Sequence, residues 1–195
     1  GIWLIHDLPI IVSYALTIFT IVVITNAYNL IDGIDGLAAI IGIIISSCFM
    51  LFFIYSNDSS FIFISAAVVG SLIAFLKYNY RPAIIYMGDT GSLLVGFLLS
   101  VFAIRMIESP ATGCLSFLEG KSPVIAIAVL IIPLFDSLRV FIIRVLEKRP
   151  PLKGDFSHLH HTLMKLGFSH DKTILSLAFI NLFFILLVFF FSFLN

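Results

Sequence analysis

Long apolar runs separated by short polar breaks constrain this chain before any motif does. Six stretches, at 9–28, 37–55, 61–77, 91–107, 123–146 and 173–194, reach or approach the length needed to cross a bilayer, which for a helix is about 20 apolar residues. The composition agrees: 61% of the 195 residues are hydrophobic, 11% are charged, and the mean hydropathy is +1.16. A soluble domain of this length could not hide so much apolar side chain. The expected fold is therefore all-α, a polytopic transmembrane helix bundle of about six spans. It forms a single membrane-embedded domain over 1–195, with no repeat and no separate soluble module. Net charge is zero, so there is no basic field of the kind that binds nucleic acid.

Six spans place alternate breaks on alternate sides. The breaks at 29–36, 77–90 and 147–172 share one side; the N-terminus and the breaks at 56–60 and 108–122 share the other. The first side carries Lys77, Arg81, Lys148, Arg149, Lys153, Lys165 and Lys172, with Arg144 at its border. The second carries Lys121, with Arg105 near its border. Basic residues accumulate on the cytoplasmic side of membrane proteins, so the first set of loops is expected to face the cytoplasm. The polar motifs all fall on that side. The first apolar stretch lacks a basic flank and a small-residue cleavage site, so it does not read as a signal peptide. The chain is expected to be the C-terminal part of a longer protein. Cys48 and Cys114 are too isolated for a disulfide framework or a thiolate metal site and read as small apolar fillers.

Three constellations carry chemistry. In the first, NAYNLIDGIDGLA at 26–38, Asn26, Asn29, Asp32 and Asp35 recur every three residues. On an α-helix each step turns by about 300° and the four spiral apart; on a tighter or broken segment they align. Two Asp-Gly pairs could simply be turns, but two carboxylates and two amides at a membrane edge are costly to keep there and usually functional. In the second, YMGDTGSL at 86–93, Asp89 or Thr90 could cap the following helix. The same geometry offers backbone N–H groups to a phosphate and a carboxylate to a divalent cation. Asn79 and Arg81 precede it on the same side.

The third is DFSHLHH at 155–161, behind the basic run Lys148-Arg149 and Lys153. Three His with Asp155 raise zinc; the basic residues raise phosphate binding; contact with lipid headgroups is the plainer reading. Asp136 and Arg139, three apart inside the fifth span, read as an intrahelical ion pair.

Taken together the three stretches, in this order and spacing, resemble the polyprenyl-phosphate N-acetylhexosamine-1-phosphate transferase family, glycosyltransferase family 4. The resemblance runs over essentially the whole chain. The Asn-Leu-Ile-Asp-Gly and His-Leu-His-His wording looks more like the branch that transfers N-acetylglucosamine-1-phosphate than like the phospho-N-acetylmuramoyl-pentapeptide transferases. It implies transfer of an N-acetylhexosamine-1-phosphate from a UDP-sugar to undecaprenyl phosphate, with release of UMP and with Mg²⁺ or Mn²⁺ as cofactor. It also implies Asp89 and Asn29 at the metal, and Asp32, Asp35, His160 and His161 as the catalytic set. Asn26, Asn29, Asn79, Tyr86, His158, Arg149 and Lys153 would contact substrate, Tyr86 by stacking on uracil. The partners it implies are the UDP-N-acetylhexosamine, undecaprenyl phosphate and the lipid bilayer, with a homodimer compatible and no nucleic acid. The setting is the bacterial cytoplasmic membrane, with the active site on its cytoplasmic face.

One departure is expected to matter. Family members carry an adjacent Asp pair in an earlier cytoplasmic loop, and no Asp-Asp pair occurs here; the fragment alone is expected to be inactive. Two other classes compete. A transporter or channel would place such residues at broken helices near the bilayer midplane; an intramembrane zinc hydrolase would carry an HExxH-type helix, which is absent from the sequence.

Overall fold

The computed structural model describes residues 9–109, 118, 120–148 and 158–194. All regular structure among these residues is helical. The elements run α1 (Ile10–Leu30), α2 (Leu37–Tyr55), α3 (Ser59–Asn79), α4 (Gly88–Glu108), α5 (Ser122–Val129), α6 (Ile131–Leu146), α7 (Leu159–Lys165) and α8 (His170–Leu194). Five of them, α1, α2, α3, α4 and α8, are long and apolar enough to cross a membrane, and the bent pair α5–α6 makes a sixth span if counted as one. The chain is an all-α bundle of five to six candidate spans, as the apolar runs indicate.

In a bilayer the helices gain little from leaving lipid for one another, so close packing and interhelical hydrogen bonds hold them together. α1 lies along α4, α2 along α3, and α5 along α8. Phe49, Phe53, Phe61 and Phe102 meet in edge-on and tilted pairs 5.1–6.2 Å apart and knit α2, α3 and α4, within the favourable range for aromatic pairs. Outward faces stay apolar: Phe19, Phe63, Phe179 and Phe193 are each at least 65% exposed, a surface suited to lipid and not to water.

One end of the bundle is structural. Arg105 donates from Nε to Asp58 at 2.8 Å and lies over the Phe61 ring, while Asp58 also accepts the Phe61 N–H at the start of α3. Lys121 Nζ donates to the Ser192 carbonyl in the last turn of α8. The motif loops lie at the other end.

The stretch 123–146, expected as one straight span, is bent by 78° between α5 and α6. Pro133 supplies the reason. It has no N–H to give the Val129 carbonyl one turn earlier. Instead Asn181 of α8, fully buried, donates its amide to the Val129 oxygen at 3.1 Å. An orphaned carbonyl in hydrocarbon is costly, and α8 supplies the missing donor. The bend re-aims α6, and with it Asp136, toward the motif end.

Candidate active site

α1 remains α-helical through Asn26 and Asn29 and then tightens. Ile31 and Asp32 donate to the carbonyls three residues back, Tyr28 and Asn29, and Leu37 does the same to Ile34. Gly36, at φ +80°, ends the turn and starts α2. That conformation suits glycine, and a side chain there would also press on the Tyr80 ring. The buried Tyr28 hydroxyl donates to the Ala38 carbonyl across the turn at 2.7 Å. The Asp32–Asp35 segment is thus braced from both sides.

Asn79 fixes this turn against the α3–α4 connection. It is almost fully buried; its oxygen accepts the Gly36 N–H and its amide donates to the Ile85 carbonyl, both at 2.9 Å. Asp35 accepts the Ala83 N–H at 3.1 Å. With these contacts made, Asp32, Gly33, Ile34, Asp35, Asn79, Tyr86 and Gly88 line a cavity of about 260 Å³ open at the end of the bundle. The Tyr86 ring is 75% exposed.

Asp32, on the turn between α1 and α2, and Asp89, in the first turn of α4, converge. Burial pushes the Asp32 carboxyl above the usual carboxylate range; the Gly88 N–H it accepts pulls it back, and the charge of Asp89 raises it again. Asn29 donates its amide to Asp89 at 3.1 Å and to Ser92 at 2.7 Å. Two crowded carboxylates, one partly desolvated, suit a divalent cation. Among the described residues no three His, Cys, Asp or Glu side chains group closely enough to cage one. This donor set fits Mg²⁺, which commonly takes one or two carboxylates and completes its shell with water and substrate phosphate oxygens. Asn29 presents its nitrogen to Asp89 and so holds that carboxylate in place.

The His loop closes over the same turn. His160, 1% exposed, packs its ring edge on Gly33; the ring nitrogen Nε2 is buried and has no hydrogen-bond partner. Burial, and then the neighbouring His161, pull its pKa down to about 4, with Asp136 opposing. It is therefore a neutral imidazole near pH 7. The His158 and His160 rings lie parallel, centroids 5.9 Å apart, and His161 tilts against His160 at 4.2 Å.

The sequence-predicted residues sort clearly. Asn29, Asp32, Asp35, Asn79, Tyr86, Asp89, His158, His160 and His161 gather at one end. Asn26 is exposed on α1, gives its amide to the Val22 carbonyl and is not among the residues lining the cavity. Arg149, Lys153 and Asp155 lie outside the described residues. Sequence reasoning missed Ser92, Gly33 as the seat of His160, and above all the partners of Asp136. The local pair expected between Asp136 and Arg139 is replaced by contacts to α7: Asp136 engages His158 and the Leu159 N–H, and Arg139 reaches Thr162 at 3.4 Å. Residues three apart share a helix face, so both project at the same neighbour.

Comparison with known proteins shows the family. The chain is 39% identical, over 88% of its length, to the probable undecaprenyl-phosphate N-acetylglucosaminyl 1-phosphate transferase of Bacillus subtilis (strain 168), covering 46% of that protein. It is 35% identical over 84% of its length to the decaprenyl-phosphate N-acetylglucosaminephosphotransferase of Mycobacterium leprae, covering 44%. A phospho-N-acetylmuramoyl-pentapeptide-transferase from Caldanaerobacter subterraneus is 32% identical over 85% of the chain and 48% of its own length. The chain spans about half the length of these relatives. The model of glycosyl transferase family 4 matches residues 2–107, which hold the Asp-Gly turn, the cavity and Asp89. With that match and these relatives, the chain belongs to glycosyl transferase family 4.

Proposed function

We propose that the protein to which this chain belongs transfers N-acetylglucosamine-1-phosphate from UDP-N-acetylglucosamine to undecaprenyl phosphate and releases UMP. The cavity lined by Asp32, Asp35, Asn79 and Tyr86 at the end of a membrane bundle, with Asp89 beside Asp32 and His160 packed on Gly33 of the cavity wall, carries this reading. One substrate is a soluble nucleotide and the other a lipid whose phosphate lies at headgroup level, so the site belongs at a membrane edge. Lys77, Arg81, Lys148, Lys165 and Lys172 fall in the sequence breaks that carry the motifs, and this basic bias supports a cytoplasmic site.

The bond broken is the donor's pyrophosphate linkage, and the bond formed joins the sugar-1-phosphate to the lipid phosphate. Catalysis of phosphoryl transfer is chiefly positioning and charge neutralisation. Mg²⁺ held by Asp32 and Asp89 would neutralise charge on the phosphates and on departing UMP. Asn29 and Ser92 keep Asp89 in register; Asn79 and Asp35 lock the cavity wall; Tyr86 offers a ring face to uracil. His160, neutral and buried, packs Nε2 against Gly33 and so backs the turn that carries Asp32.

The test is isotope transfer by the full-length membrane protein with Mg²⁺. Label from UDP-N-acetylglucosamine should enter undecaprenyl lipid with stoichiometric UMP. Label entering lipid only from the UDP-muramoyl-pentapeptide donor would move the protein to the second branch, and no lipid product from either donor would overturn the reading.

A further inference from the structure

Asp136 sits within α6, 1% exposed, on a helix whose other ionisable residues are Arg139 and Arg144. A carboxylate in that position is costly unless fully partnered. Both of its oxygens are used, and both contacts are at the start of α7. Oδ2 lies 2.9 Å from Nδ1 of His158, and Oδ1 accepts the Leu159 N–H at 2.8 Å. His158, the N-cap residue of α7, makes no capping bond with its side chain. Asp136 supplies that cap from another helix. A carboxylate oxygen facing Nδ1 accepts from a ring N–H there, and this contact holds the orientation of the His158 ring. The parallel His160 ring stacks on it, and His160 meets Gly33 beside Asp32. From Asp136 a continuous series of contacts reaches the cavity.

We infer that Asp136 is a positioning residue of the active site, acting through His158 to set the imidazole stack over the Asp32–Asp35 turn. It touches no substrate. This rests on the transfer reaction proposed above. Asp136→Asn preserves shape but removes one acceptor. Either its NH₂ faces Nδ1 and drives the ring proton to Nε2, or it faces the Leu159 N–H and breaks the cap.

Two measurements on the full-length protein decide it. In wild-type protein labelled with ¹⁵N-histidine, with His158→Gln assigning the signal, Nδ1 of His158 should be protonated. An unprotonated Nδ1 would overturn the inference without needing any Asp136 variant to fold. In Asp136→Asn, turnover should fall by about 10²–10⁴-fold, the range seen when an orienting carboxylate is neutralised. KM for UDP-N-acetylglucosamine should stay within about threefold, since ground-state binding is not removed. Wild-type turnover in Asp136→Asn would also overturn it. A wild-type protein with no transfer activity would sink the reaction and leave the ring-nitrogen spectrum to judge the positioning.

Discussion

Gly33 offers the sharpest test of how the His loop meets the Asp-Gly turn. A methyl group at this position would overlap Nε2 of His160 outright and lie 2.6 Å from Cε1 and 3.3 Å from Cδ2. Carbon atoms pack best at about 3.5–4.0 Å, so the ring must retreat by roughly 1 Å. It has little room. His160 is 1% exposed, with the His158 ring parallel on one side and His161 tilted at 4.2 Å. Overpacking of this kind costs about 1–3 kcal/mol if the loop stays. If the loop instead lifts, the stack leaves the cavity, and a misplacement of about 1 Å can lower a rate by 10²-fold. Gly33→Ala should therefore lose roughly a hundredfold in label transfer to lipid. Its melting temperature should fall only modestly, because α1–α4 pack away from the contact. Gly33→Ala combined with His160→Ala should show less than the summed loss of stability, the mark of two residues in direct contact. A Gly33→Ala protein with wild-type turnover and wild-type melting would refute the seating of His160 on this turn.

Asp89→Asn should nearly abolish transfer at any Mg²⁺ concentration while leaving folding intact, because an amide is a poor Mg²⁺ ligand and Asp89, expected as a cap, instead lies inside the first turn of α4, where no side chain caps the helix; activity retained at low Mg²⁺ would remove Asp89 from the metal site. Tyr86→Ala should raise the KM for the UDP-sugar more than Tyr86→Phe does, since stacking needs the ring and not the hydroxyl; equal losses would point to the hydroxyl. Asn181→Leu should destabilise the protein by about 1 kcal/mol, the scale of an interhelical hydrogen bond in a membrane, read by denaturant titration in detergent; an unchanged midpoint would mean the Val129 carbonyl needs no donor. His160 is neutral in the fold and its pKa is held down at about 4, below the ordinary 6.5. Its contribution to stability should be whole above pH 6.5 and decline as pH falls toward 4, with His160→Ala flattening that part of the profile.

How much of this was legible depended on whether a feature is local. The spans were, because about 20 apolar residues in a row admit few other uses. Their ends were less so: α4 begins at Gly88 and α8 at His170, earlier than hydropathy alone puts them. Asp89 and Asp171 in those first turns lower the hydropathy, yet they suit a helix N-terminus, whose N–H groups favour negative charge. The Asp-Gly turn could be recognised as chemistry from its residue types. Its shape could not, since the spacing of three fitted both a spiral and a tight segment. The structure uses both, α-helix through Asn29 and bonds three residues back at Ile31 and Asp32.

Asp136 shows where local reasoning fails. Arg139 stood three residues away, and a charge in hydrocarbon needs a partner, so the nearest opposite charge was the natural choice. The partner actually used, His158, lies 22 residues on. It is reached only because Pro133 leaves a carbonyl orphaned, α5 and α6 bend, and Asn181, 52 residues beyond Val129, satisfies that carbonyl. No window on the sequence contains all four residues. Each has a bland reading alone: a proline in a span, a polar residue in a late helix, a buried acid, a loop histidine. Their meaning is a single arrangement, in which the bend aims α6, α6 presents the carboxylate, and the carboxylate sets the ring that orders the loop over Asp32. A buried acid in a membrane helix whose local partner is three residues away should therefore also be tested against loops that return to the same end of the bundle.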